Sequence, residues 1–444
     1  MFEALLRRLR AAVHTLRLTA ERTPPQRDRH VDLLRATAIL MVVLGHWLAV
    51  VVTYRKDIGG DSVLAVLPWT HLLTWLFQVM PVFFLVGGFV NAASLDSYWR
   101  RGGTAVGWFL GRTDRLIRPT TMFLIVVGSA MLLGALLGAD PKMVGMAAWL
   151  ASIPLWFLTV YITVVFLTPV MLTLHRRAGL SIPVVLATLV GLGDVARLSL
   201  GLFFLGTANF LFAWLAIYQL GIAWREGALQ ARRAVAVPMA AGGFTALVLL
   251  TVVGPYPISM VTVPGERVQN TSPPTLALLA LAVAQTGLAL LLRDHGNRWL
   301  QRPGLWMIVV AVNSVIMTIF LWHMTAVVIA TVALYPTGLL PQPPPGSAGW
   351  LLLRLPWLAF LVVILTVLVA VFGRVETRTG PRPNTAQVPS GALRRAATIT
   401  GSAAVVAGLL GTAIASPGGA PAPMLLLYLA GAALLRIIRN RPGS

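Results

Sequence analysis

The chain has no cysteine and is short of charge of one sign, with 14 aspartates and glutamates against 35 lysines and arginines in 444 residues. Without cysteine there is no disulfide, no thiolate nucleophile and no cysteine-based metal site, and the redox compartment stays open. Lysine is almost missing as well, occurring only as Lys56 and Lys142, so the basic charge is arginine charge. Charged residues of every kind make up 11% of the chain, where soluble domains carry about 25%. That scarcity, with 57% hydrophobic residues and a mean hydropathy of +0.81, excludes a water-soluble globule.

What is present is a series of apolar runs of about 18 to 25 residues, the length a helix needs to cross about 30 Å of hydrocarbon. They lack the strict alternation of a membrane β-barrel. Spans are predicted near 33–53, 70–93, 119–138, 152–174, 181–193, 201–223, 233–253, 275–292, 305–334 and 349–373, with two shorter ones near 400–416 and 423–438. The fifth runs into Gly191, Gly193 and Asp194, which predicts a broken or re-entrant segment. The expected fold class is therefore an all-α polytopic integral membrane protein with a core of about ten helices over 31–374. A basic segment over 1–30 precedes it, and a linker over 375–399 and a C-terminal apolar two-helix hairpin with a basic tail over 400–444 follow.

Within 1–30, Phe2, Leu5, Leu6, Leu9, Val13 and Leu16 recur at helical spacing, while Arg7, Arg8, Arg10 and Arg17 fall mostly on other faces. The pattern suits a helix lying on the membrane surface, or a basic tail that helps set topology. The arginines explain the net charge of +21, which in a soluble chain would suggest a nucleic-acid partner. They cluster on alternate connections: before the first span, at Arg100, Arg101, Arg112, Arg115 and Arg118 after the second, and again at Arg176 and Arg177, Arg232 and Arg233, Arg293 and Arg298, Arg394 and Arg395. The intervening connections hold only Arg55, Lys56, Lys142, Arg197 and Arg267. The positive-inside rule then places both termini in the cytoplasm of a multi-pass protein, expected in the plasma membrane. No nucleic-acid surface is needed to account for the charge. Two connections on the other side, 254–274 and 335–348, are long and rich in proline. The first carries Glu266, Arg267, Asn270, Thr271 and Ser272 and reads as a solvated loop or as a contact for a polar acceptor.

Ionisable groups inside spans are functional candidates by default. The first span reads HVDLLRATAILMVVLGHWLAV, with Arg35 near its cytoplasmic end and His46 beyond its middle. Eleven residues turn a helix by about 1100°, within about 20° of three whole turns, so the two side chains share a face about 16.5 Å apart along the axis. An extended pantetheine arm is of similar length, so a ligand with phosphates at Arg35 would bring its thioester near His46. Arginine suits phosphate through bidentate charge-assisted bonds, and neutral imidazole suits general-base work on a hydroxyl. Asp32, one turn before Arg35, is placed to orient it by an ion pair. The plainer alternative is an arginine that snorkels and a histidine that bonds a neighbouring helix. Arg112 and Arg115 share a helix face, with Arg118 just before Pro119, and by charge alone they are ordinary positive-inside arginines. His323, in the FLWHM of the ninth span, lies at a depth comparable to His46. Asn91, Asn209, Tyr218, Gln219, Gln285 and Asn313 read as polar links between helices.

Taken together, DLLRATAILMVVLGHW, MPVFFLVGGFV, the Arg112-x-x-Arg115 element followed by Arg118 and Pro119, LWFLTVY and FLWH resemble the acyltransferase-3 family of membrane acyltransferases over roughly residues 28 to 374. The resemblance implies acyl-CoA as a cytosolic co-substrate, no bound cofactor or metal, and O-acylation of a carbohydrate, glycolipid or glycosylated small molecule. It implies that His46 is the catalytic residue, as a base or as a carrier of the acyl group, and that Arg35, Arg112 and Arg115 serve donor binding or site assembly. Asp32 then orients Arg35, and His323 and Arg118 stand behind the site. The chain departs from the simplest members by its basic N-terminus, its linker and its terminal apolar pair. A transporter or lipid flippase, or a scaffold without catalysis, is the competing expectation. Ion-coupled transport usually places acidic groups within spans, whereas nearly every acid here is expected in a loop or at a span end, and no internal repeat is evident.

Overall fold

The computed structural model describes residues 27–55, 57–334, 343–377, 391–414 and 422–440, with His14, Arg17, Leu18, residues 20–24, Thr337 and Pro341. The surface helix expected from Phe2 to Leu16, much of the 335–348 connection and most of the linker expected over 375–399 lie outside the described residues. Twelve helices among the described residues are long and apolar enough to cross a membrane, one for each predicted span.

In chain order the first half comprises α1 (Arg29–Ala49), α2 (Met80–Arg100), α3 (Ala105–Leu136), α4 (Pro141–Ser152), α5 (Leu155–Ala178), α6 (Ser181–Leu198) and α7 (Asn209–Arg225). The second comprises α8 (Arg233–Val248), α9 (Leu276–Trp299), α10 (Pro303–Ser314), α11 (Ile316–Leu334), α12 (Ala348–Thr377), α13 (Ala392–Ile414) and α14 (Ala422–Asn440). Between α1 and α2 an antiparallel hairpin pairs β1 (Val50–Arg55) with β2 (Asp57–Ser62), a small departure from an all-α chain.

Helix α1 is central, lying against α2, α9, α10 and α11. It is pinned near its start by the His30 amide, which donates to Asn297 Oδ1 at 3.0 Å, and by the His30 ring against the Ala289 carbonyl at 2.9 Å. Helices α2 and α7 approach closely because Gly88 and Gly221 face each other's backbones: a Cβ on Gly88 would strike the Tyr218 carbonyl, and one on Gly221 the Leu85 carbonyl. Small residues are the usual way for membrane helices to gain contact where lipid offers no hydrophobic drive. Around that contact Phe83, Phe84, Phe157, Tyr161 and Trp214 interlock edge to face or stacked, with Phe84 and Trp214 4.5 Å apart.

Four expectations change. The third helix begins at Ala105, so Arg112, Arg115 and Arg118 stand on its N-terminal half and not in a loop. The predicted 305–334 span is two helices, α10 and α11, broken between Ser314 and Ile316. No glycine or proline marks that break, because the cap comes from elsewhere: Glu376, in the last turn of α12, accepts the Met317 amide at 3.0 Å and the Thr318 amide and hydroxyl at 2.8 Å each. The predicted fifth span is not broken. Its helix α6 runs on to Leu198 and buries Asp194, which accepts from Asn209, from the Tyr256 hydroxyl at 2.9 Å and from the Leu276 amide at 2.8 Å. Asp194 thus lies within a spanning helix, hydrogen-bonded on both oxygens and beside Arg197 at 3.6 Å.

The 254–274 connection is also not a loosely solvated loop. Asn270 donates to the Pro257 and Ser259 carbonyls, Gln78 and Trp75 donate to Met260 and Ile258, and Thr74 accepts the Met260 amide. Burial pushes the Tyr256 phenol up from its ordinary pKa. The segment is thereby fastened onto residues 74–78, and Phe77 of that stretch packs at Gly45, next to His46.

Candidate active site

Helix α1 carries both ends of the site. His46 Nδ1 lies 2.9 Å from the Val42 carbonyl, which can only accept, so Nδ1 holds the proton and Nε2 presents a lone pair. His323 is held in the same tautomer, its Nδ1 2.6 Å from the Phe320 carbonyl. The two rings are 5.1 Å apart, and the expectation of a common depth thus becomes direct contact. They differ in access: His323 is fully buried with its Nε2 unpartnered, whereas His46 is only half-buried although it sits on the central helix. Trp47 Nε1 donates to the His323 carbonyl at 2.9 Å and fixes α1 to α11 at this level. From the opposite side Arg354 of α12 donates to the Val50 carbonyl at 2.9 Å, capping the C-terminus of the helix that bears His46.

At the arginine-rich face, Arg35 Nε donates to Asn313 Oδ1 at 2.6 Å, and Asn313 donates to the Asp32 and Val309 carbonyls at 2.9 Å each. The expected Asp32–Arg35 pair is present but long, at 3.7 Å. Asp32 is held more closely by Arg27, at 2.6 and 2.9 Å, and that carboxylate raises the Arg27 pKa further. Asn313, read from sequence as a generic link, is therefore the residue that chiefly orients Arg35, and Asp32 is a shared counter-ion.

Arg35 lies close enough to Arg112 and Tyr161 to interact electrostatically, and also to Glu376. Arg112 is partly buried, acts on Tyr218 and Arg115, and has no carboxylate partner among the described residues. Arg115 is exposed at the rim. Arg118 is directed instead to Asp114, at 2.5 Å. The structure thus brings Arg35 and Arg112 together, with Arg115 at the mouth. Arg35, with Asp32 at 3.7 Å and Glu376 within electrostatic reach, and Arg112, with no carboxylate partner among the described residues, form a basin that favours an anion with several oxygens.

Between basin and histidines runs an aromatic path. His323 lies 5.9 Å from Phe320, Phe320 is 5.1 Å from Phe157, and Phe157 stacks on Tyr161 at 5.5 Å beside the arginines. Tyr161 enters the sequence reading only as part of LWFLTVY, and Glu376 is missed there, because its partners Met317 and Thr318 are distant in the chain. Glu376→Gln keeps the size but removes the charge and one acceptor from the first turn of α11. It is expected to cost about 1 to 2 kcal/mol of stability, seen as a lowered melting temperature in detergent.

A family model described as an acyltransferase domain, acyltransferase-3, matches residues 28–374. No curated protein and no solved structure matches the chain. The matched segment begins just before α1 and ends in the last turn of α12, so it contains His46, His323, the arginine basin and the aromatic path, and leaves α13 and α14 outside.

Proposed function

The chain belongs to the acyltransferase-3 family and is a multi-pass membrane acyltransferase; on that premise we propose that it moves an acetyl or other short acyl group from cytosolic acyl-CoA to a hydroxyl of a glycan, glycolipid or glycosylated metabolite. The observation that carries the reading is the shared helix. Arg35, which meets Arg112 of α3 in an anion-favouring basin, and His46, a half-buried imidazole with a bare Nε2, stand on one rigid helix. Their axial separation of about 16.5 Å suits a phosphate-ended donor with a thioester at its far end. The clustering of arginine on one set of connections supports a cytoplasmic basin and cytoplasmic termini, in the plasma membrane.

In this reading the phosphates of acyl-CoA sit at Arg35 and Arg112, with Arg115 at the rim, and the pantetheine arm follows the aromatic path. His46 Nε2 takes the proton of the acceptor hydroxyl as its oxygen attacks the thioester carbon. The new C–O bond replaces the C–S bond, and the departing thiolate takes up the proton held on the imidazole. If His46 carries the acyl group instead, its Nε2 attacks the thioester carbon and expels the thiolate; the acceptor oxygen then displaces Nε2 from the acyl carbon, and the hydroxyl proton passes to the thiolate. His323 packs on His46 and carries its own bare Nε2 beside the reacting nitrogen.

Inverted membrane vesicles containing the protein, given acetyl-CoA labelled in the acetyl group, are expected to incorporate label into a carbohydrate-containing fraction. Right-side-out vesicles given the same donor outside are expected not to. Incorporation from the outer side alone contradicts the orientation, and none from either side in vesicles containing cell envelope contradicts the donor.

A further inference from the structure

Helices α13 and α14 lie beyond the matched segment, and the chemistry above makes no use of them. They are nonetheless docked on the core, α13 against α5 and α14 against α3. The two pack closely on each other: a Cβ on Gly408 would strike the Tyr428 amide, and one on Gly431 the Gly401 carbonyl at 2.8 Å. The pair is thus a stiff hairpin, and α14 bonds to α3 at two points.

The first point lies beside a weak turn. Pro119 has no N–H, so within α3 the carbonyl of Arg115 loses its helical partner where the arginine-bearing turns join the rest of the helix. Thr120 and Thr121 bond back to the Leu116 and Ile117 carbonyls, a pattern that itself tends to bend a helix. Onto that turn comes Tyr428, fully buried, its hydroxyl 3.1 Å from the Ile117 carbonyl and 2.9 Å from Thr121 Oγ1. Two hydroxyl protons there are shared among three oxygens, the Ile117 carbonyl, Thr121 Oγ1 and the Tyr428 hydroxyl, which ties α14 to this turn.

The second point is Asp114, which lies between Arg112 and Arg115 in sequence. It is bonded by Arg118 at 2.5 Å and paired with Arg439 of α14. Arg439 thereby occupies a carboxylate that would otherwise compete for Arg112 and Arg115 and repel an incoming phosphate.

We propose that the α13–α14 hairpin is a strut that sets the pose of the N-terminal half of α3, with Tyr428 and Arg439 as positioning residues through which Arg112 and Arg115 are held for the donor's phosphates. The link to the donor rests on the functional reading above; the mechanical part does not. Because the chain has no cysteine, spin labels can be placed by Gly111→Cys and Gly304→Cys, two positions where a Cβ meets nothing within 4 Å. In the full chain, pulsed electron paramagnetic resonance is expected to give a narrow distance distribution. That distribution is expected to broaden and shift in Tyr428→Phe/Arg439→Gln and to recover when Tyr428 is kept and the change at position 439 is Arg439→Lys. If the double variant does not accumulate, Arg439→Gln alone is measured in the same way.

An unchanged distribution overturns the strut. Alongside it, the KM for acyl-CoA is expected to rise about tenfold with kcat within about twofold. A moved helix with an unchanged KM overturns the donor link. Absence of acyl-CoA-dependent turnover in the wild type defeats the functional reading and leaves the distance measurement to decide the strut.

Discussion

His46→Ala is expected to abolish most acyl transfer while leaving acyl-CoA affinity near that of the wild type. The half-buried imidazole has its Nδ1 proton committed to the Val42 carbonyl, so the whole of its chemistry lies at Nε2. Removing a positioned general base typically costs roughly 10²- to 10⁴-fold in rate, and in the proposed mechanism the loss belongs in kcat because the imidazole is assigned to the reacting atoms and not to the phosphates. His46→Gln retains a polar side chain without a basic nitrogen, so it separates loss of the base from loss of packing against His323. The measurement is single-turnover transfer of labelled acyl group at saturating donor. Activity within about threefold of the wild type in both variants would remove His46 from the chemistry.

Arg112→Ala is expected to act in the opposite way, raising the donor Kd roughly 10- to 100-fold with a smaller effect on the rate at saturation. A charge-assisted hydrogen bond contributes about 1.5 to 3 kcal/mol, and at about 1.4 kcal/mol per decade that sets the range. Arg112 suits this test because no carboxylate partner among the described residues is orphaned when it is removed. Arg35→Ala is less clean: it leaves Asn313 Oδ1 without its 2.6 Å donor and alters the contact among α1, α10 and Asp32. A larger effect from Arg35→Ala, with some loss of stability, is therefore expected. Isothermal titration or labelled-ligand binding reads the affinity directly, which KM does only when chemistry is slow relative to release.

How much of this was readable from the sequence follows from the range of each interaction. Spans are local properties of hydropathy, so their number and order emerged, as did the shared face of Arg35 and His46, which only the helical repeat is needed to place. Interactions between distant segments did not emerge. The α10–α11 break is capped by Glu376, about sixty residues later in the chain, and contains no glycine or proline to announce it. The glycines before Asp194 predict the edge of a broken helix, whereas its partners Tyr256 and Leu276 come from another connection and another helix. Asn313 and Tyr161 gain their meaning only when α10 and α5 are brought to α1 and α3. Arg112 and Arg115 looked like topology because hydropathy started their helix at 119. The structure begins it at Ala105, turning a loop cluster into a directed pair.

The terminal hairpin shows the same limit at a larger scale. Hydropathy finds both helices but cannot say that Tyr428 reaches the turn before and after Pro119, or that Arg439 reaches Asp114. A hydrophobic pair at the end of a chain is easily set aside as an addition. Here its polar side chains meet the helix that carries two of the four residues assigned to donor and catalysis.

Equilibrium binding of labelled acetyl-CoA to the purified full-length protein, as wild type, Arg35→Ala/Arg112→Ala and His46→Ala, tests the division of labour along α1 most directly. Saturable binding by the wild type, its near loss in the double arginine variant and its retention in His46→Ala are the predicted results. Absence of saturable binding in the wild type, or binding that survives loss of both arginines, would contradict a phosphate-bearing donor held in the arginine basin.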